Sequence, residues 1–493
     1  MDSNPAQLDA HLCNRARLAR DPRFDGRFFI GVTSTGIYCR PICPSPTAKR
    51  ANVRYFPSAA AAAEAGFRPC LRCRPEVAPG TPAWNGTSAT VSRGLKLIAD
   101  GALDAGSVDH LAARLGVSAR HLHRLFLQHL GAPPVAVAQT RRLHFAKQLI
   151  DGTRLPMSQV AMASGFQSIR RFNDVMRKLY GRTPSELRRL REAEAPRVDT
   201  GEYVFRLAYR PPYDWDALLA FLAARATPGI EEVVDGAYRR SLAFEHQHGV
   251  LEVRALKRAH ALEARIRFPE SAGLLRIVAR VRAMFDVTAD PEVIARHLRL
   301  DPRLQPLIKR YPGLRVPGAW DGFELAVRAV LGQQVTVRGA TTLAGRLVRA
   351  HGEPLQFVDR GGLTHVFPSA QVLADAEIAG LPAARARTLR LLAQAVVRGR
   401  LRFAGGLPDE EFFARFQGIV GIGDWTAQYV AMRAFNEPDA FPASDLVLLR
   451  AAGNGRALTP AELRQRAEDW RPWRAYAAMY LWRAAADGAS PKH

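Results

Sequence analysis

A chain of 493 residues exceeds what one hydrophobic core supports, so three or four domains are expected. Lys and Arg number 70 against 46 Asp and Glu, and a formal charge of +24 makes a polyanion the expected partner, nucleic acid before an anionic membrane. No stretch approaches the roughly 18 to 20 unbroken apolar residues of a spanning helix, and Met1 to Arg20 has no apolar core behind a basic head, so a cytoplasmic, nucleoid-associated protein is predicted.

The chain opens with its cysteines. Cys13, Cys39, Cys43, Cys70 and Cys73 all fall in the first 73 residues. In a reducing compartment a local thiol cluster points to a metal before a disulfide framework. Cys39 and Cys43 form a C-x3-C pair, Cys70 and Cys73 a C-x-x-C pair, and 26 residues separate them. Two such pairs can close a tetrahedron around one Zn²⁺, while Cys13 has no partner by spacing. Ser58 can cap and Gly66 can stop a short helix over Ala59 to Ala65.

Thr35-Gly36-Ile37-Tyr38-Cys39-Arg40-Pro41 with Gly66-Phe67-Arg68-Pro69-Cys70-Leu71-Arg72-Cys73 resembles the N-terminal domain of the Ada methylphosphotriester repair and response proteins. The resemblance implies that Cys39 is a sacrificial methyl acceptor, and that Thr35, Arg68 and Arg72 lie near the DNA phosphate. Thiolates on Zn²⁺ stay nucleophilic at neutral pH, and methylation of one lowers the site's negative charge toward DNA. Pro44 and Pro46 stand where the best-known member of that family has arginines.

Val77 to Thr90 and Arg191 to Thr200 read as linkers. They delimit a zinc module (1–77), an all-helical segment (91–191, between linkers 78–90 and 192–200) and a C-terminal half. The helical segment contains one unit twice. Ser107 to Ser118 is a capped short helix and a Gly turn before a basic helix, and Ser158 to Gly165 followed by Gln167 to Tyr180 repeats it. The pair resembles the AraC-type DNA-binding domain with two helix-turn-helices. By face, the DNA-contacting residues would be Arg120, His121 and Arg124 in the first recognition helix and Ser168, Arg170, Arg171 and Asn173 in the second.

From Gly201 the period becomes alternating: Tyr203, Phe205, Leu207 and Tyr209, then segments near Arg240 to Phe244, Val250 to Ala255 and Leu262 to Phe268. A small antiparallel sheet domain (201–285) is predicted, interrupted by a helix over Asp214 to Ala226. From Ala272 only helices are expected, with a helical domain over 286–493. The fold class is therefore multidomain and mainly α: an α+β zinc module, a double helix-turn-helix domain, and an α+β preface to a helical domain.

Phe416-Gln417-Gly418-Ile419-Val420-Gly421-Ile422-Gly423-Asp424-Trp425-Thr426-Ala427 is a glycine hairpin between helices. Gly421, Gly423 and Thr426 can turn backbone N–H groups toward a DNA phosphate. This string resembles the helix-hairpin-helix DNA glycosylases. In that superfamily a lysine after the hairpin marks a lyase, and here Trp425 takes its place. Asp445, twenty residues on, reads locally as a helix N-cap, but the resemblance makes it the catalytic aspartate.

Pro211-Pro212-Tyr213-Asp214-Trp215, Arg328 to Val335 and Trp470 to Tyr476 narrow the resemblance to the AlkA type, the 3-methyladenine DNA glycosylase II family. It implies a base pocket of Trp425, Tyr429 and Trp482, and a DNA wedge at Gln334 where the family has leucine. A monovalent cation at the hairpin is also implied. Trp470 and Trp473 are expected in the core. The expected partners are damaged duplex DNA, a promoter operator and RNA polymerase, and the expected state is a monomer. The competing expectation is a damage-responsive transcription factor whose glycosylase-like half only binds DNA.

Overall fold

A computed structural model describes residues 8–79, 89–104, 106–190, 201–359, 361–403, 410–453 and 456–489. Both expected linkers fall mostly on 80–88 and 191–200, outside the described residues. The chain forms two compact units: Met1–Pro211 with Ala255–Arg282 and Val287–Asp290, and Pro212–Arg254 with Ala283–Asp286 and Pro291–His493.

In the first unit a four-stranded sheet carries the N-terminal module, in the order Val53–Phe56, Phe29–Val32, Ile37–Cys39, Arg68–Pro69. The last pairing is parallel, with Tyr38 opposite Pro69, and Cys70 N–H donates to the Tyr38 carbonyl at 3.0 Å. Register alone thus sets Cys39 beside Cys70. The alanine helix runs Ala59–Glu64 with Ser58 as its cap.

The repeated helical unit is built twice at a constant offset. Ser118 caps Ala119–Leu130 and Ser168 caps Ile169–Tyr180; Gly131 and Gly181 end these helices at φ +67° and +65°. Leu122, Phe126 and Leu130 are buried in the first, and Phe172, Met176 and Tyr180 in the second. One turn of helix separates each of these side chains, so every unit buries a single stripe and leaves its basic face outward. The long helix Pro134–Gly152 joins the two helix-turn-helices. Strand Glu202–Ala208 pairs antiparallel with Ala261–Arg267 in the same unit, and Phe205 stacks on Phe145 of the joining helix at 5.6 Å.

In the second unit Ala237–Phe244 pairs antiparallel with Glu231–Val234 and with residues 247–254. Strand Glu231–Val234 escapes sequence pattern because it starts with two acids. Its register sets Glu231 opposite Arg240 and Glu232 opposite Arg239, so cross-strand charge pairs support it in place of apolar alternation. The expected helix forms over Trp215–Ala223, with Asp214 accepting from Ala217 N–H. The expectation of helices alone after Ala272 is corrected by a two-residue antiparallel pairing, Glu353–Pro354 with His365–Val366. The helical core gathers Gly322–Leu331, Ala383–Val397, Glu410–Gln417 and Asp424–Ala434 around Val330, Leu389, Phe416 and Val430, all fully buried. Among the described residues no helix is long and apolar enough to cross a membrane.

Candidate functional sites

Two helices and the N-cap of a third build the C-terminal site. Helix Asp424–Ala434 carries Trp425 and Tyr429 one turn apart, so their rings stack at 5.1 Å and 8°. Trp482, on Arg474–Ala489, meets Tyr429 edge-on at 6.4 Å. Asp445 caps Leu446–Ala451, accepting from Val447 N–H and Leu448 N–H on Oδ1, each at 3.0 Å. Two indoles reach the same carboxylate: Trp482 Nε1 donates to Oδ1 at 3.1 Å and Trp425 Nε1 to Oδ2 at 2.9 Å. The local reading of Asp445 as a helix cap therefore holds, and the same carboxylate also meets the aromatic cluster. Oδ1 takes three donors, which leaves Oδ2, with one, as the oxygen able to meet another group.

Behind Tyr429 lies a residue that sequence reasoning passed over. Arg433, 5% exposed, donates to the Tyr429 hydroxyl at 2.7 Å and to the carbonyls of Pro317 and Gly318 at 2.8 and 3.2 Å. Burial alone would push the Tyr429 hydroxyl up, but the charges of Arg433 and Arg225 outweigh it and bring the group below its ordinary value. Only the i, i+4 spacing of Tyr429 and Arg433 hints at this in sequence.

The hairpin spans 418–423 between Glu410–Gln417 and Asp424–Ala434. Gly421 has φ +93°, and a Cβ there would lie 2.3 Å from Thr388 Oγ1, so only glycine fits. Gly423 is exposed and faces open space, as a phosphate approach requires. Thr426 is 2% exposed, so its side chain is turned inward, and its hydroxyl accepts from Gln333. Gln334 is exposed with φ +56°, at the tip of the turn after Gly322–Leu331. Trp470 and Trp473 are buried, at 1% and 5% exposure.

In the N-terminal module the sulfurs of Cys39, Cys43, Cys70 and Cys73 all lie within 4.8 Å of one another. Four thiols at that separation are a complete Zn²⁺ donor set. Cys13 stands apart, buried, its thiol pushed up to about 12 by desolvation. Arg40, unassigned from sequence, is 7% exposed: its N–H donates to Cys73 Sγ at 3.3 Å, its Nη1 to the Cys73 carbonyl at 3.1 Å, and its Nε to Asp25 at 2.9 Å. Thr35, Arg68 and Arg72 are all exposed, as are Pro44 and Pro46.

On the helix-turn-helix units Arg120, Arg124, Arg170, Arg171 and Asn173 are exposed and His121 half-buried. His121 Nδ1 lies 3.0 Å from Arg124 Nη2. Ser168 Oγ accepts from Arg171 N–H at 3.3 Å, a capping role that occupies the side chain expected to meet DNA.

Three family models match: the metal binding domain of Ada over residues 12–76, a helix-turn-helix domain over 111–190, and the AlkA N-terminal domain over 204–321. A Mycobacterium tuberculosis protein named "Probable bifunctional transcriptional activator/DNA repair enzyme AlkA" is 42% identical over 485 residues, covering 96% of each chain. This chain belongs to the bifunctional Ada–AlkA family. The DNA-3-methyladenine glycosylase 2 of Escherichia coli is 36% identical over 289 residues, 57% of this chain and 96% of its own. A 3-methyladenine DNA glycosylase from Archaeoglobus fulgidus shares the fold, with TM-score 0.50 at 21% identity over 58% of this chain and 99% of its own. The helix-hairpin-helix glycosylase fold, the helix-turn-helix domain and the four-cysteine zinc module are thereby assigned.

Proposed function

We propose that this protein hydrolyses the N-glycosidic bond of alkylated purines in duplex DNA at Asp445, and accepts a methyl group from a DNA methylphosphotriester on Cys39 as the signal for transcriptional activation. The carrying observation is that Trp425 and Trp482 both bind Asp445 through their indole N–H groups while their rings join Tyr429 in one aromatic cluster.

Alkylation at purine N3 or N7 makes the base cationic and a good leaving group. A flipped base stacks favourably on electron-rich rings. As the bond to the base breaks, positive charge develops on the sugar, and the oriented carboxylate of Asp445 is placed to stabilise it and to guide the attacking water. Trp425 occupies the place of the Schiff-base lysine, so the reaction ends at hydrolysis. Gly421 and Gly423 supply the phosphate grip, and Gln334 fills the space left by the extruded base.

In the zinc module Cys39, Cys43, Cys70 and Cys73 would hold one Zn²⁺, which keeps the sulfurs as nucleophilic thiolates. Cys39 Sγ forms the bond to the methyl carbon, the carbon–oxygen bond of the phosphotriester breaks, and the electron pair stays on the phosphate oxygen. Thr35, Arg68 and Arg72 are placed to bind that phosphate. The paired helix-turn-helices then hold a promoter from which the protein, acting as a cytoplasmic, nucleoid-bound monomer, recruits RNA polymerase.

The test is base release from methylated duplex DNA by wild type and Asp445→Asn. Release by wild type and none by a variant that still binds supports the assignment; no release by either makes the C-terminal half a DNA-binding platform.

A further inference from the structure

The wedge and the hairpin belong to different segments, and one side chain ties them. Gly322–Leu331 ends at Gly332, and Gln333 precedes Gln334 in the turn. Gln333 Nε2 donates to the Gly421 carbonyl at 2.9 Å and to Thr426 Oγ1 at 3.1 Å. Its own carbonyl accepts from Arg385 Nη2 at 2.7 Å. Arg385 lies on Ala383–Val397, which also carries Thr388, and Thr388 Oγ1 donates to the Val420 carbonyl at 2.8 Å. Residues on both sides of the hairpin tip are thus tied to the residue before the wedge or to the helix that holds it.

We propose that Gln333 is a positioning residue that sets the register between the phosphate grip at Gly421–Gly423 and the wedge at Gln334. The inference rests on Gln334 being the wedge. A duplex opens only if the backbone is held while a side chain enters the stack, so the spacing of grip and wedge decides how much binding energy goes into base extrusion. Gln334 itself sits at φ +56°, a conformation a non-glycine residue keeps only when its neighbours hold it. The side-chain amide of Gln333 and the Arg385 bond to its carbonyl supply that hold. Sequence shows only a Gln-Gln pair; the acceptors of its first member are 88 and 93 residues away.

The experiment uses the full chain and one alkylated purine in two settings: a matched duplex, and the same duplex with an abasic site opposite the lesion, where the stack is already open. Single-turnover base release is measured for wild type, Gln333→Leu, which keeps size and loses the donors, and Gln333→Glu, which keeps shape and sets an acceptor against the Gly421 carbonyl. Both variants should slow release from the matched duplex about tenfold or more, as loss of two hydrogen bonds implies, and from the pre-opened duplex by less than about threefold. Equal loss on the two substrates, or no loss, overturns the proposal. Gln334→Ala separates this from the wedge assignment: if Gln334→Ala slows both substrates equally, the wedge assignment and the register inferred from it fail together. If Gln334→Ala is selective for the matched duplex and the Gln333 variants are not, only the register fails.

Discussion

Trp425 donates its indole N–H to Asp445 Oδ2 at 2.9 Å across twenty residues of sequence, from the ring that also stacks on Tyr429. One residue therefore belongs to the aromatic cluster and orients the carboxylate, and Trp482 does the same on Oδ1. The two contributions can be separated by substitutions that keep a ring. Trp425→Phe and Trp482→Phe should each slow base release about tenfold or more while substrate binding changes little, since a hydrogen bond to a charged group contributes about 1.5–3 kcal/mol. Single-turnover rates at saturating enzyme read this directly, and wild-type rates in both variants would remove the orienting role.

Tyr429 should ionise before the buried tyrosines. Burial pushes Tyr38, Tyr180, Tyr238 and Tyr476 well above their ordinary value and Tyr480 to about 12, whereas the arginine charges bring Tyr429 down from its ordinary 10.0. In the linkage the unfolded chain keeps this proton longer than the folded one. The contribution to stability is therefore absent below the folded value and grows as pH rises toward 10. Tyrosinate absorbance of wild type minus Tyr429→Phe should show one group titrating below 10, and Arg433→Met should move that group upward. A difference curve with no component below 10 counts against the pairing.

Arg40 holds the zinc module from within. It is ion-paired with Asp25, with side chains 8% and 5% exposed, and bonded to both the sulfur and the carbonyl of Cys73. Arg40→Met leaves the Asp25 carboxylate buried without its partner, which costs about 3–5 kcal/mol. Zinc should then be lost to a chelator faster than from wild type, and the module should melt first. Unchanged zinc retention would show that the four sulfurs need no such support.

What sequence displayed and what it hid divide along chain distance. Asp445 and the hairpin glycines were legible because a cap, a glycine turn and a fixed spacing are local signals. The four cysteines were legible because their two pairs are each local. Arg40 and Gln333 carried no such mark, and Arg433 only its i, i+4 spacing to Tyr429: Arg433 also acts on carbonyls 116 and 115 residues away, and Arg40 on a cysteine 33 residues away. Thr426 shows the converse. Its place beside the hairpin suggests a DNA contact, but Thr426 is the third residue of Asp424–Ala434 and its side chain faces the core. Any phosphate contact it makes comes through its backbone N–H.

Two of the hairpin's three glycines, Gly421 and Gly423, have opposite reasons for being glycine, and substituting each should separate fold from grip. At Gly421 a methyl group would meet Thr388 Oγ1 at 2.3 Å in a backbone with φ +93°, so Gly421→Ala strains the turn itself. At Gly423 the same methyl meets nothing within 4 Å, with φ −99°, so the fold accepts it. Gly421→Ala should lower stability by about 1–3 kcal/mol and weaken DNA binding with it. Gly423→Ala should melt like wild type, yet weaken binding to an abasic-site duplex about tenfold, because the methyl would stand at the phosphate contact proposed for the N-terminus of Asp424–Ala434. Melting curves and titrations of labelled DNA at one salt concentration give both quantities. Wild-type affinity for Gly423→Ala would mean that the open face of the hairpin is not where the backbone of DNA lies.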